Sequence, residues 1–340
     1  MKEEIIDGKN YKLPNILNEF QKQLYVHLIN YKWKYITKEV GLDRNNEYDA
    51  ILPESLYSAY PVIYPSIVTD LKQHLKKYPF KLHNYFNHMV SSQAANVNLF
   101  LPILLSTQAN EILRLLKPDF KELAVNELYK GFRIEYWDGN SNKDKGLLGD
   151  HNAVSGTDSD IAIAYYNTKD ELCLWLIEHK LREKEFSECG GYTSKGRKPL
   201  HNCNNAFSEI LTNKDVCYYH SGSKYEYWNI TERNHSFFVN HSNHDSCPFK
   251  GGINQLWRNQ LLGFAIEQDE KQPYKEVSFS VVHHPNNTHL NESMEQYKDL
   301  VDNNPKFFAF TSNQVIDSAS KVKDTELKEW IGWYKELYMV

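Results

Sequence analysis

The chain has 340 residues, 41% of them apolar and 24% charged, enough for one large or two ordinary domains with a substantial core. A net charge of −5 excludes a global field that would draw the chain onto nucleic acid, so any such surface must be a local patch. The longest apolar run, Leu99 to Leu105, is far short of a membrane span, and Met1-Lys2-Glu3-Glu4 is no signal peptide. A cytoplasmic protein without membrane contact is therefore expected, its five cysteines reduced or metal-bound rather than bridged. No P-loop, dinucleotide fingerprint or G-x-S-x-G elbow occurs, which leaves ATP use, redox chemistry and serine hydrolysis without support.

Residues 1–117 read as a mostly helical N-terminal region. Leu13 to Thr37 carries Ile16, Leu17, Phe20, Leu24 and Leu28 at helical intervals, with Pro14 suited to a helix start. Ser66 to Tyr78 repeats the pattern with Ile67, Val68, Leu71 and Leu75, and Tyr85 to Leu105 and Glu111 to Leu116 continue it. Residues 118–340 read as the core. Pro118 to Tyr129 predicts a helix, and the alternation of Phe132 to Trp137 predicts the first core strand.

Next come two apolar runs of strand length, Ile161 to Tyr166 and Leu172 to Ile177, flanking an Asn-Thr-Lys-Asp turn. They read as a β-hairpin. With the turn centred on Lys169, antiparallel partners have numbers summing to 338, so Asp160 lies opposite Glu178 and Asp158 opposite Lys180. Residues two apart share a face, so all four would point the same way. Ala162, Ala164, Leu174 and Leu176 fall on one face and Ile161, Ile163, Trp175 and Ile177 on the other, as in a strand pair covered on both sides. Carboxylates and a lysine at the end of a buried hairpin are costly unless they bind something, and a divalent cation suits them.

Residues 186–250 form a loop-rich insert with four cysteines, Cys189, Cys203, Cys217 and Cys247, and five histidines. Four thiolates suit a tetrahedral Zn²⁺ site, although no C-x₂-C knuckle is present and an iron–sulfur cluster is the alternative. Lys195, Arg197 and Lys198 form the best local basic patch, a candidate phosphate grip. Regularity returns with a helix over Ile253 to Glu267, a strand over Glu276 to His283, a helix over Asn291 to Val301, a strand over Phe307 to Thr311 and a closing helix over Thr325 to Tyr338. This alternation fits an α/β core.

An acid, an apolar strand and then Glu178-His179-Lys180 resemble the signature of the PD-(D/E)XK nuclease superfamily. Two further stretches, His88 to Pro102 and Gln255 to Gly263, resemble segments on either side of the catalytic hairpin in a family of bacterial restriction endonucleases within it. The resemblance implies a restriction-endonuclease-like fold, a central mixed sheet flanked by helices, and Mg²⁺-dependent hydrolysis of DNA in restriction or defence, with Mn²⁺ able to substitute. It implies Asp160 and Glu178 as metal ligands with the carbonyl of His179 as a third. It also implies Lys180 as electrostatic help to the attacking water, and Gln255 near the site touching phosphate or bracing the lysine. Asp158 is expected to join the metal or brace Lys180, and Arg258 and Asn259 to meet the substrate backbone. Superfamily members often add one further acid, for which Glu122, Glu127 and Glu135 are the candidates. Cutting both strands would favour a twofold homodimer. The alternative is a nucleic-acid-binding module or assembly subunit on the same scaffold that no longer turns over.

Overall fold

The computed structural model describes residues 1–80, 82–83, 86–138, 145–152, 155–193 and 200–340. Two small hairpins interrupt the N-terminal helices: β1 (Lys2–Ile6) with β2 (Lys9–Leu13), and β3 (Gly41–Asp43) with β4 (Asn46–Tyr48). The first turns at Asp7 and Gly8, both at positive φ. It takes Leu13, the first residue that helical spacing assigned to a helix. That helix, α1 (Glu19–Tyr35), instead begins after Asn18, whose side chain and that of Gln21 form a capping box. Then follow α2 (Val68–Lys77), α3 (Ser92–Leu105) and α4 (Ala109–Leu116). Every residue of α3 from Gln93 to Leu104 is buried, so α3 is a central helix rather than an amphipathic one.

The expected helix over Pro118 to Tyr129 is not formed. Its place is taken by β5 (Phe120–Leu123) and a turn that puts Leu128 and Lys130 at positive φ. The core sheet comprises β5, β6 (Phe132–Tyr136), β7 (Ser159–Asn167), β8 (Leu172–Lys180), β9 (Glu276–His283) and β10 (Phe307–Thr311). Its order is β10-β9-β8-β7-β5, with β6 also on β7. The β7–β8 hairpin is antiparallel and β8, β9 and β10 run parallel, so the sheet is mixed. Ile161 faces Ile177 and Ala164 faces Leu174, the register that a turn at Lys169 dictates.

The two faces divide as the alternation requires. Ile161, Ile163, Trp175 and Ile177 join a core with α1, α3, α4, α10 (Ser312–Ala319) and α11 (Thr325–Tyr338). Ala162, Ala164, Leu174 and Leu176 join a second core under α8 (Asn254–Gln268), α9 (Asn291–Leu300) and the insert. The insert is not helix-free. It holds α5 (Phe207–Thr212), α6 (Tyr218–Ser221) and α7 (Tyr227–Arg233), all too short for periodicity to reveal. Gly263 lets α8 approach the sheet, because a Cβ there would stand 3.2 Å from Val277 and 3.8 Å from Leu176.

Candidate active site

Where the two layers part, at one end of the sheet, polar side chains replace apolar ones. Glu178 and Lys180 close β8 and are only 5 and 8% exposed. Lys180 Nζ lies 2.8 Å from Glu178 Oε1. Asp160, near the start of β7, faces the same cavity of about 130 Å³. Its Oδ2 accepts the backbone N–H of His179 at 2.6 Å, and Asn96 of α3 donates to its carbonyl at 3.0 Å. From the other layer, Gln255 bridges the pair: Nε2 donates to Glu178 Oε1 at 2.7 Å and Oε1 accepts from Lys180 Nζ at 3.1 Å. Asn259, one helical turn on, donates to Glu178 Oε2 at 3.0 Å.

A third acid comes from β6. Between the pairs Ile134–Ile161 and Tyr136–Ser159, Glu135 comes opposite Asp160, with φ at +50°. Such a backbone is costly for a residue other than glycine and is tolerated where a site needs it. Gln93 of α3 donates to Glu135 Oε1 at 2.8 Å. Glu135, Asp160 and Glu178 thus form a row across three neighbouring strands. Of the three candidate extra acids this is the one at the site; Glu122 is exposed on β5 and Glu127 lies in the turn after it. Glu183, which the sequence did not single out, also lines the cavity and is held by Ser92 and by the backbone N–H of Arg182.

The row stores electrostatic tension. Burial, then Glu178 and Glu135, push the Asp160 carboxyl well above the usual carboxylate range. Burial, with Asp158 and Glu178 adding to it, takes Glu135 up to about 8. Burial works against the Lys180 ammonium, yet Glu178, Glu183 and Asp160 outweigh it and lift its pKa above the usual lysine value. Lys180 is therefore a fixed cation at neutral pH, and the acids around it still exceed it. Such a donor set suits a hard divalent cation, which would relieve the repulsion. Among the described residues no three His, Cys, Asp or Glu side chains are gathered around one point as ion ligands.

A family model described as restriction endonuclease associating with ARP matches residues 9–339. The chain belongs to this restriction-endonuclease family. Its central mixed sheet flanked by helices is the restriction-endonuclease-like core. No curated protein and no solved structure matches the chain.

Other expected site residues of this restriction-endonuclease family member fall elsewhere. Asp158 does not join Asp160 or brace Lys180. Strand β7 begins at Ser159, and the Asp158 carboxylate turns to His151 Nε2 at 2.6 Å, beside the stacked rings of Trp137 and His151. Arg258 reaches Thr157 Oγ1 at 3.3 Å and lines a separate cavity of about 370 Å³ with Asp150, Tyr219 and Tyr227. The His179 ring is a buried core group that burial holds neutral, its pKa down to about 3, so only its backbone belongs to the site. His283 and His284 give ring hydrogen bonds to the carbonyls of His284 and Tyr338. Lys195, Arg197 and Lys198 lie outside the described residues. Cys189, Cys203, Cys217 and Cys247 are free, as is the core residue Cys173. Among the described residues no helix is long and apolar enough to cross a membrane.

Proposed function

We propose that this family member is a metal-dependent endonuclease that hydrolyses DNA phosphodiester bonds, in restriction or defence. The observation that carries the reading is the row of Glu135, Asp160 and Glu178 across three strands, with the Lys180 ammonium 2.8 Å from one of its oxygens. Asp160, Glu178 and the His179 carbonyl would hold Mg²⁺, with Mn²⁺ able to replace it and Glu135 adding negative charge beside them. The ion would supply acidified, oriented water and neutralise phosphate charge. Lys180 provides a positive charge fixed before substrate arrives, placed for the negative charge that develops on phosphorus oxygens. Gln255 binds both Lys180 and Glu178, which sets the spacing between cation and carboxylate. Asn96 and Gln93 hold the backbone of Asp160 and the carboxylate of Glu135 from the opposite layer.

The deciding experiment incubates the protein with plasmid DNA and Mg²⁺ or Mn²⁺, with and without EDTA. Cleavage is expected, stopped by EDTA and absent in Asp160→Ala and Lys180→Ala proteins that keep the wild-type circular dichroism. DNA bound but uncut by the wild type would favour a silent binding module. Cutting of RNA alone would correct the substrate.

A further inference from the structure

The cavity of about 370 Å³ that Arg258 lines takes no part in the chemistry described above. Its volume is at the small end of ligand sites, which run from about 300 to 1,000 Å³. The buried side of it is polar. Asp150, 5% exposed, accepts on Oδ2 from Thr157 Oγ1 at 2.5 Å and from Tyr227 OH at 2.7 Å. Its other oxygen, Oδ1, is buried without a donor, and Arg258 Nε is buried without an acceptor. Arg258 reaches the same network through Nη1, 3.3 Å from Thr157 Oγ1. An orphaned carboxylate oxygen and an orphaned guanidinium N–H at one cavity are costly unless a ligand pairs with them. The remaining wall is aromatic. The Tyr219 ring centre lies 5.3 Å from that of Tyr225 and 5.2 Å from that of Tyr227, and Tyr218, 42% exposed, stands at the mouth.

These walls select a flat ligand that brings a donor and an acceptor together. A lone phosphate would meet Asp150 and Glu188 against a single guanidinium, and an apolar molecule would leave both orphans unpaired. A nucleobase satisfies every wall: an exocyclic amine for Asp150, a ring nitrogen or carbonyl for Arg258, and π faces for the tyrosines. We infer that this cavity takes one unpaired, amine-bearing base of the substrate strand, held outside the base stack beside the cutting site. The inference rests on the DNA-cleaving function proposed above. Its position follows from shared elements. Arg258 follows Gln255 by three residues on α8, a separation of about 5–6 Å between Cβ atoms. The backbone N–H of Ser187 donates to Gln255 Oε1 at 3.2 Å, and the next residue, Glu188, lines the cavity. Gly156 lines it too, on the segment that runs directly into Asp160. A base seated there therefore belongs to a nucleotide close to the scissile bond. A base stacked within a duplex cannot reach the buried Asp150, so it must leave the helix to be read. Arg258, expected from the sequence to meet the substrate backbone, contacts a base instead.

The test measures binding of the full chain, in EDTA so that nothing is cut, to labelled single strands of oligo-dA, oligo-dC and oligo-dT and to an abasic strand of equal length. Oligo-dA or oligo-dC is expected to bind about tenfold more tightly than oligo-dT or the abasic strand. Asp150→Asn presents an N–H where the base brings its amine. It should lose about tenfold on the preferred strand and nothing on the abasic one, with an unchanged melting temperature. Tyr225→Leu removes a stacking face while leaving the Asp150 hydrogen bonds in place, and should show the same base-selective loss even if Asp150→Asn fails to fold. Wild-type binding of every strand by either folded variant would overturn the inference. So would a wild type that holds oligo-dT or the abasic strand as tightly as oligo-dA and oligo-dC. If that protein still cuts plasmid with Mg²⁺, the base pocket alone is refuted; a protein that neither cuts plasmid nor binds any strand refutes the nuclease reading as well.

Discussion

At the scale of single residues the site is a balance between one buried cation and the acids around it. Gln255 touches both sides of that balance without being able to ligate through a charge. Gln255→Ala should lower the single-turnover cleavage rate about 10–100-fold while leaving the unfolding midpoint nearly unchanged, the scale typical for groups that orient ligands. An equal loss of rate and stability would make Gln255 a packing residue instead. Glu135 gives a pH dependence whose sign is fixed. Its folded pKa is raised from 4.5 to about 8, so the fold tolerates its charged form less well than the unfolded chain does. Stability is full below about pH 4.5 and lost as pH rises through about 8. The melting temperature of EDTA-treated protein should therefore fall across that window, and Glu135→Gln should flatten the fall. The same slope in both proteins would show that Glu135 is not under this strain.

At the scale of elements, the hairpin β7–β8 and its parallel neighbour β9 make the floor on which the acids stand. Trp175 Nε1 donates to Ser280 Oγ at 2.8 Å between β8 and β9, and both side chains are buried. Ser280→Ala would strand an indole N–H in the core, at a cost of about 1–3 kcal/mol. A lower urea midpoint with Mg²⁺-supported cleavage still present at low temperature is expected. An unchanged midpoint would mean that the indole finds another partner.

For the whole molecule, the site exists because two cores grip the sheet from opposite sides and open at one end. Helix α3 delivers Gln93 and Asn96 from one layer, and α8 delivers Gln255 and Asn259 from the other. The C-terminal helix α11 secures α3: Trp330, fully buried, donates from Nε1 to the carbonyl of Asn98 at 2.8 Å, and Tyr338 OH accepts from Asn98 Nδ2 at 2.9 Å. Trp330→Ala should cost about 3–5 kcal/mol and should depress cleavage although the residue is remote from the acids. Thermal unfolding and plasmid cleavage measured on one preparation check this, and full activity in a destabilised protein would separate α3 from the site.

The sequence by itself determined the hairpin, its register, the sorting of its side chains between two faces and the placing of Asp160, Glu178 and Lys180 at one end. Those follow from a period of two and a turn composition, which are local. Gln255 was legible only through resemblance. Tertiary structure decided the rest. It chose Glu135 through a backbone distortion that no composition announces, and it recruited Glu183 and Gln93 by packing. It also turned Asp158 away, because the strand begins one residue later and His151 offers a nearer partner. Helical spacing misread Pro118 to Tyr129 because the short edge strand β5 gains its hydrogen bonds from the distant strand β7, and nothing in a window of local sequence carries that information; Leu13 went instead to the local hairpin with β1.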